Sequence, residues 1–261
     1  MPFSFSLLSV IPLRASAAHT AEQVSQILFG EVVEVLQTQG AWQEVRCTWD
    51  NYTGWAQAIQ LQPLAAPYLH ADAQSACAYT LDIAQPVLAA THYVTVTMGA
   101  TLPQYDGLNL QIDAHRFAFN GQAVRASDYR DADWLLKIAR RYLGAPYQWG
   151  GRSPFGIDCS GFTQMVFLLC GFALPRDAAL QVNCGTAIDF AGAARSGDLV
   201  FFENTSGKIV HVGILLDQQT VIHTSGQVRI DRFDHLGIFN AELQTYTHHL
   251  RLIKRILPIV R

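Results

Sequence analysis

The rhythm of the sequence changes once, near residue 127, and that change limits what the chain can fold into. Before it, apolar residues come in short runs separated by Gly, Asn and Asp: "LLSVIPLR", "ILFGEVVEVLQTQG", "AWQEVRCTW" and "GWAQAIQLQPL" fill residues 1 to about 65. Runs this short, bounded by turn formers, make strands and predict a small barrel. "AAPYLHADAQSA" reads as a connector, and residues from about 84 to 125 return to short strands in "HYVTVTMGATLPQYDG" and "HRFAFNGQAVRA", with no alignable repeat. From "SDYRDADWLLKIARRYLG" onward the spacing is helical. Ser127 or Asp128 can cap a helix whose apolar residues are Trp134, Leu135, Ile138 and Leu143, closed by Gly144 and Pro146. "DCSGFTQMVFLLC", residues 158 to 170, reads as a second helix ended by Gly171, and the strands "LVFF", "IVHVGILL" and "TVIHTS" follow. Helices ahead of a sheet predict an α+β domain. The expected division is residues 1–65, 66–127 and 128–261.

With 261 residues, half of them hydrophobic, the chain can bury more than one core. A net charge of −3 and no Lys/Arg run exclude an electrostatic nucleic-acid surface, and no stretch is apolar for long enough to span a bilayer. The expected partner is a small molecule or a peptide. Five scattered cysteines are too few for a disulfide scaffold, and their odd number leaves at least one thiol free. The opening "MPFSFSLLSVIPLRASA" lacks a basic leader and carries Arg14 where a signal peptide would stay apolar. The expected compartment is therefore the cytoplasm, or the periplasm or exterior if a native signal has been removed.

Cys159 follows Asp158 where a glycine-rich run gives way to helical sequence, which puts the thiol in a first helical turn. There, unpaired N–H groups and the helix dipole favour a thiolate, so the position is expected to activate sulfur. A buried thiol that only packs is the alternative, and it fits Cys170 and Cys184. A nucleophile needs a base, and the base an orienting partner. "IVHVGILLDQQTVIHTS" supplies two candidates: if "DQQ" is a hairpin turn pairing 216 with 220, then 213 lies opposite 223, and His211 and His223 become diagonal neighbours on one face. Gly213 leaves that face open, and a one-residue slip would separate the imidazoles. Two histidines and a cysteine could instead hold zinc, but the spacing does not match the usual short ligand pairs and no second cysteine sits near Cys159. No metal and no cofactor are expected.

Five blocks, "YLGAPYQWGGRSPFGIDCSGF", "LPRDA", "SGDLVFF", "HVGILL" and "VIHTSG", resemble the NlpC/P60 cysteine peptidases in order and spacing, over about residues 130 to 261. The β-rich segments upstream are similar, more loosely, to the two bacterial SH3-type modules that precede this domain in the γ-D-glutamyl-L-diamino acid endopeptidases of cell-wall peptides. The resemblance implies a papain-like fold, with Cys159 as nucleophile, His211 as base and His223 as the orienting third member. It makes Tyr147 a tyrosine kept close to the cysteine, and Ser160 and Gly161 part of the tight helix start.

Asp158 is unexpected, because a carboxylate beside the thiol raises the thiol pKa. In the wall-peptide members an acidic residue at this place helps hold the α-ammonium of an N-terminal L-Ala. The resemblance extends that role to Tyr52 and Glu22 in the first module and to Asp177, while Ala178 stands where the family often has serine. The expected activity is hydrolysis of the γ-D-Glu to diamino-acid bond in peptidoglycan-derived L-Ala-γ-D-Glu-diamino-acid peptides. A catalytically silent wall-binding module and an acyltransferase are the competing readings.

Overall fold

A computed structural model describes residues 3–65 and 77–258, and the chain separates into two compact units. The first runs to Asp128 and also takes in Trp149–Pro154; the second comprises Tyr129–Gln148 and the chain from Phe155 onward. Residues 66–76 of the expected connector, and with them the expected boundary after residue 65, lie outside the described residues.

In the first unit the expected short strands form a seven-stranded antiparallel sheet, ordered 23–28, 10–14, 53–57, 42–47, 32–39, 3–5, 62–64. Alternation along Val10–Arg14 and Val32–Gln39 sends Ile11, Leu13, Val33 and Val35 into a core shared with Ile27, Val45 and Cys47. Residues 78 to 125 add a four-stranded and a three-stranded sheet. Their core of Val87, Val96, Leu110, Ile112, Phe117 and Phe119 is continuous with Phe5 and Phe29 of the first sheet, so the two β-rich segments share buried side chains.

The second unit opens with a helix, Ala132–Arg141. Asp131 caps it, accepting the Trp134 N–H at 2.9 Å; Ser127 and Asp128, the caps expected from sequence, lie too early because a capping side chain immediately precedes the first helical residue, here Ala132. Asp133 in its first turn and Arg140 and Arg141 in its last match the helix dipole. The helix Cys159–Leu168 is buried along all ten residues, and its polar members Ser160, Thr163 and Gln164 hydrogen-bond to Arg176, Gln181 and the Leu174 carbonyl respectively.

Behind these helices lies an antiparallel sheet ordered 186–188, 245–255, 199–203, 209–215, 220–225, 227–234, 237–240, in which the last strand pairs back to Thr245–Arg255 and closes six strands on themselves. Strand outweighs helix, so the unit is mostly sheet where the sequence suggested an α+β mixture. The hairpin has the expected register, with Gly213 opposite His223 and Leu216 N–H donating to the Thr220 carbonyl. A Cβ on Gly213 would come within 2.8 Å of Val221 and 3.0 Å of the His223 Cβ, so only glycine lets the strands meet there. No helix among the described residues is long and apolar enough to cross a membrane.

Candidate active site

Asp158 is the N-cap of the buried helix, accepting the Gly161 N–H at 2.7 Å, and this fixes Cys159 as the first helical residue. The Val212 and Ser160 N–H groups reach its sulfur. The thiol nevertheless does not ionise readily: burial, reinforced by the Asp158 carboxylate, pushes it up to about 12 against the opposing pull of Val212, Arg176 and Ser160. The activation expected from the helix terminus is opposed by burial, because Cys159 is only 7% exposed and removal from water disfavours the thiolate.

The two histidines meet face to edge. His211 Nε2 lies 2.9 Å from His223 Nδ1, and His223 Nε2 lies 2.9 Å from Asp231 Oδ2. All three residues are buried, and Arg229 grips Asp231 through two bonds of 2.7 and 2.9 Å. Burial works against the Asp231 charge, but the hydrogen bonds from His223 and Arg229 prevail and hold the carboxyl below its ordinary range. An ionised carboxylate only accepts, so a neutral His223 carries its proton on Nε2 and presents a lone pair at Nδ1. That lone pair accepts the His211 Nε2–H, which leaves the His211 Nδ1 as the free basic nitrogen. Burial, then the neighbouring His223 and His248, hold the His211 imidazole well below its usual pKa. Thiol and imidazole thus both rest neutral, the arrangement of a general base waiting for a proton.

Asp158 does more than cap. Arg176, 1% exposed, reaches both of its oxygens at 2.9 and 2.6 Å and also bonds the Ser160 hydroxyl at 2.9 Å. The charge that seemed to need a substrate ammonium therefore has a partner within the protein. Tyr147 is bound through its backbone to Gly226 at 2.9 Å, and its hydroxyl is pushed up to about 12 by burial first and then by Cys159 and Asp158. Asp177 opens the short helix Ala178–Gln181, its carbonyl accepting the N–H groups of Leu180 and Gln181. Within the first unit, Tyr52 packs on the core beside Val45 and Cys47, and the Glu22 carboxylate accepts the Trp149 indole N–H at 2.5 Å.

Sequence reasoning missed Arg176, Asp231 and His248. Asp231 was accessible by the argument that paired the histidines: carried through Gly226, it sets 225 opposite 227 and 223 opposite 229, which puts Arg229 and Asp231 on the His223 face.

A family model described as "NlpC/P60 family" matches residues 144–247, and one described as "Bacterial dipeptidyl-peptidase Sh3 domain" matches residues 13–61. The chain is 29% identical to a protein of Bacillus subtilis (strain 168) named gamma-D-glutamyl-L-lysine dipeptidyl-peptidase, over 77% of this chain and 71% of that protein. A protein of Bacillus cereus with the same name is 39% identical over 36% of this chain, and the match spans only 28% of that relative's length. A crystal structure of an NlpC/P60 family protein from Bacillus cereus ATCC 10987 has a TM-score of 0.82 at 22% identity, covering 98% of this chain and all of that one, and so shares the fold.

Proposed function

Taking as premise that the chain belongs to the NlpC/P60 family of cysteine peptidases and carries a bacterial SH3-type domain ahead of its catalytic domain, we propose that it cleaves the γ-D-Glu to L-diamino-acid bond of short peptidoglycan peptides bearing a free N-terminal L-Ala, as in recycling of wall fragments. The observation that carries the chemistry is the Asp231–His223–His211 chain of hydrogen bonds, which leaves one basic nitrogen in the strand whose Val212 N–H meets the Cys159 sulfur. The names of the Bacillus relatives point to the same bond.

In this reading Cys159 gives its proton to His211 Nδ1 as the sulfur attacks the γ-carbonyl carbon. Backbone N–H groups at the helix start stabilise the oxyanion. The His211 imidazolium then protonates the leaving amine as the C–N bond breaks, and water, deprotonated by the same nitrogen, releases the dipeptide from the thioester. His223 holds the base in its tautomer. Tyr147 and Ser160 line the start of the helix, and Asp158 and Asp177 supply polar groups toward the substrate's amino end. We also read the sheets of residues 78 to 125 as a second SH3-type module, giving the division 1–65, 66–127 and 128–261.

Asp158 is already engaged by Gly161 and Arg176, and a variant there would leave Arg176 buried without its carboxylate, so the substrate is the better thing to vary. The test compares L-Ala-γ-D-Glu-diamino-acid tripeptide with its N-acetylated form, with mass detection of the dipeptide product. Acetylation is expected to lower kcat/KM by about tenfold or more, equivalent to losing roughly 1.4 kcal/mol of contact with the ammonium. Equal turnover of the two peptides would refute the free-amine specificity and point instead to cleavage of stems still attached to glycan.

A further inference from the structure

We propose that His211, His223 and His248 form an inhibitory site for a divalent transition metal that favours imidazole ligands, zinc being the test ion. Each of the three can offer one ring nitrogen such that all three nitrogens lie within 4.8 Å of one another. This set differs from the cysteine and histidine combination disfavoured by the sequence: it contains no sulfur, and its third member lies on the strand Thr245–Arg255, brought in by closure of the sheet.

The nitrogens left over are already held in the way metal-binding imidazoles are. His223 is fixed through Nε2 by Asp231 at 2.9 Å, a carboxylate–histidine pair that leaves Nδ1 for an ion. His248 is fixed through Nδ1 by the Thr247 hydroxyl at 2.9 Å, which leaves its Nε2. His248 lies over His211 with ring centroids 4.2 Å apart and planes inclined by 31°. Tetrahedral zinc with bonds of about 2.0–2.1 Å holds its ligand nitrogens about 3.3 Å apart. The present His211–His223 separation of 2.9 Å would need to open by only a few tenths of an ångström. His248 is partly exposed, which gives an ion a way in. Three protein ligands leave a fourth position for water.

Binding requires only the imidazoles; its effect on turnover rests on His211 being the base. An ion on His211 Nδ1 takes the basic lone pair directly. An ion on Nε2 displaces the proton from that nitrogen to Nδ1, turning the base into a donor toward the thiol. Either way no nitrogen is left to receive the Cys159 proton.

The experiment uses the full chain after chelator treatment. Zinc chloride is titrated calorimetrically into the Cys159→Ala variant, which has neither turnover nor the reactive thiol, and cobalt(II) absorption is read in the same variant. One ion per chain and visible bands of four-coordinate cobalt are expected, with affinity falling at least tenfold when His248→Ala is added. In the chelator-treated enzyme with Cys159 intact, the activity that His248→Ala retains needs at least tenfold more zinc for half-inhibition. Should His248→Ala lose activity on its own, Thr247→Val, which releases the ring without removing it, is expected to weaken zinc binding to the Cys159→Ala protein. No binding to Cys159→Ala, or equal zinc affinity with and without His248, overturns the site. Zinc binding without inhibition would uphold the site and instead remove His211 from the role of base.

Discussion

In the first unit Glu31 holds the buried Arg152 through bonds of 2.8 and 3.0 Å and accepts the Leu28 N–H; in the second, Asp158 holds the buried Arg176 through bonds of 2.6 and 2.9 Å and accepts the Gly161 N–H. Each ion pair acts on a buried cysteine. Burial is the first cause that raises both thiols; Cys47 then feels the charges of Asp50, Glu31 and Arg152, and Cys159 those of Asp158 and Arg176. The two arrangements share burial and a carboxylate paired with a buried arginine, so neither of these alone makes a nucleophile. The difference is in what surrounds the sulfur. Cys47 ends the strand Trp42–Cys47 inside an apolar cluster with Ile11, Leu13 and Ile27. Cys159 begins a helix, has backbone N–H groups directed at its sulfur, and adjoins a strand carrying an oriented imidazole.

The sharpest way to break this comparison is to remove each thiol in turn. Cys159→Ala is expected to lower kcat/KM on the tripeptide by at least about a thousandfold, since removing one member of a nucleophile and base pair costs nearly as much as removing the set. Cys47→Ala is expected to keep turnover within about twofold and to lose about 1 kcal/mol of stability to the cavity left behind, read from denaturant melts. Substantial loss of turnover in Cys47→Ala with the fold intact would show that the first thiol is not merely packing.

The next test removes each arginine. Arg152→Met and Arg176→Met each strand a buried carboxylate and are expected to cost about 3–5 kcal/mol. Per folded molecule, Arg152→Met should retain its turnover. Arg176→Met should not, because Asp158 and Ser160, which set the start of the Cys159 helix, lose the group that anchors them. If both variants lose turnover in proportion to their unfolded fraction alone, the second ion pair is as purely structural as the first.

How far each arrangement could be read from the sequence follows from how local it is. Cys159 and the paired histidines were legible because a helix start and a hairpin turn are short-range signals, and the "DQQ" turn fixed a register that the strands then obeyed. The Arg176 to Asp158 pair, 18 positions apart across a non-repeating loop, left no periodic trace. Arg152 illustrates the limit more strongly, because it sits in the glycine-rich run before the nucleophile yet its guanidinium is spent 121 positions away on Glu31 and lies 4.5 Å from the Trp49 ring centre. The raised thiol pKa was missed for another reason: the helix dipole is visible in a sequence, whereas the burial of all ten residues of that helix depends on a sheet contributed by later strands. His248 was hidden in the same way, since only closure of the sheet through Thr245–Arg255 brings it to His211.

The smallest expected effect separates the two units by pH. His211 is held well below its ordinary pKa and His248 is lowered to about 4, in both cases by burial first and by neighbouring histidines next. Between the ordinary imidazole value of about 6.5 and the folded value, the unfolded chain binds protons that the folded unit refuses, so stability falls as pH is lowered through that window. Above it both states are neutral and the effect vanishes. Asp231, whose folded pKa is depressed, acts in a lower window: its contribution is present above the ordinary carboxylate range and is lost as pH falls through its folded value. Mild acidification should therefore loosen the second unit through its imidazoles before its carboxylates respond. Hydrogen exchange read by peptide mass from pH 7 to 5, corrected for the intrinsic rate, is expected to show protection falling in residues 199–255 and holding in residues 10–57. His248→Gln should flatten the fall by up to one bound proton, and an unchanged slope in that variant would mean that His211 alone carries the acid sensitivity.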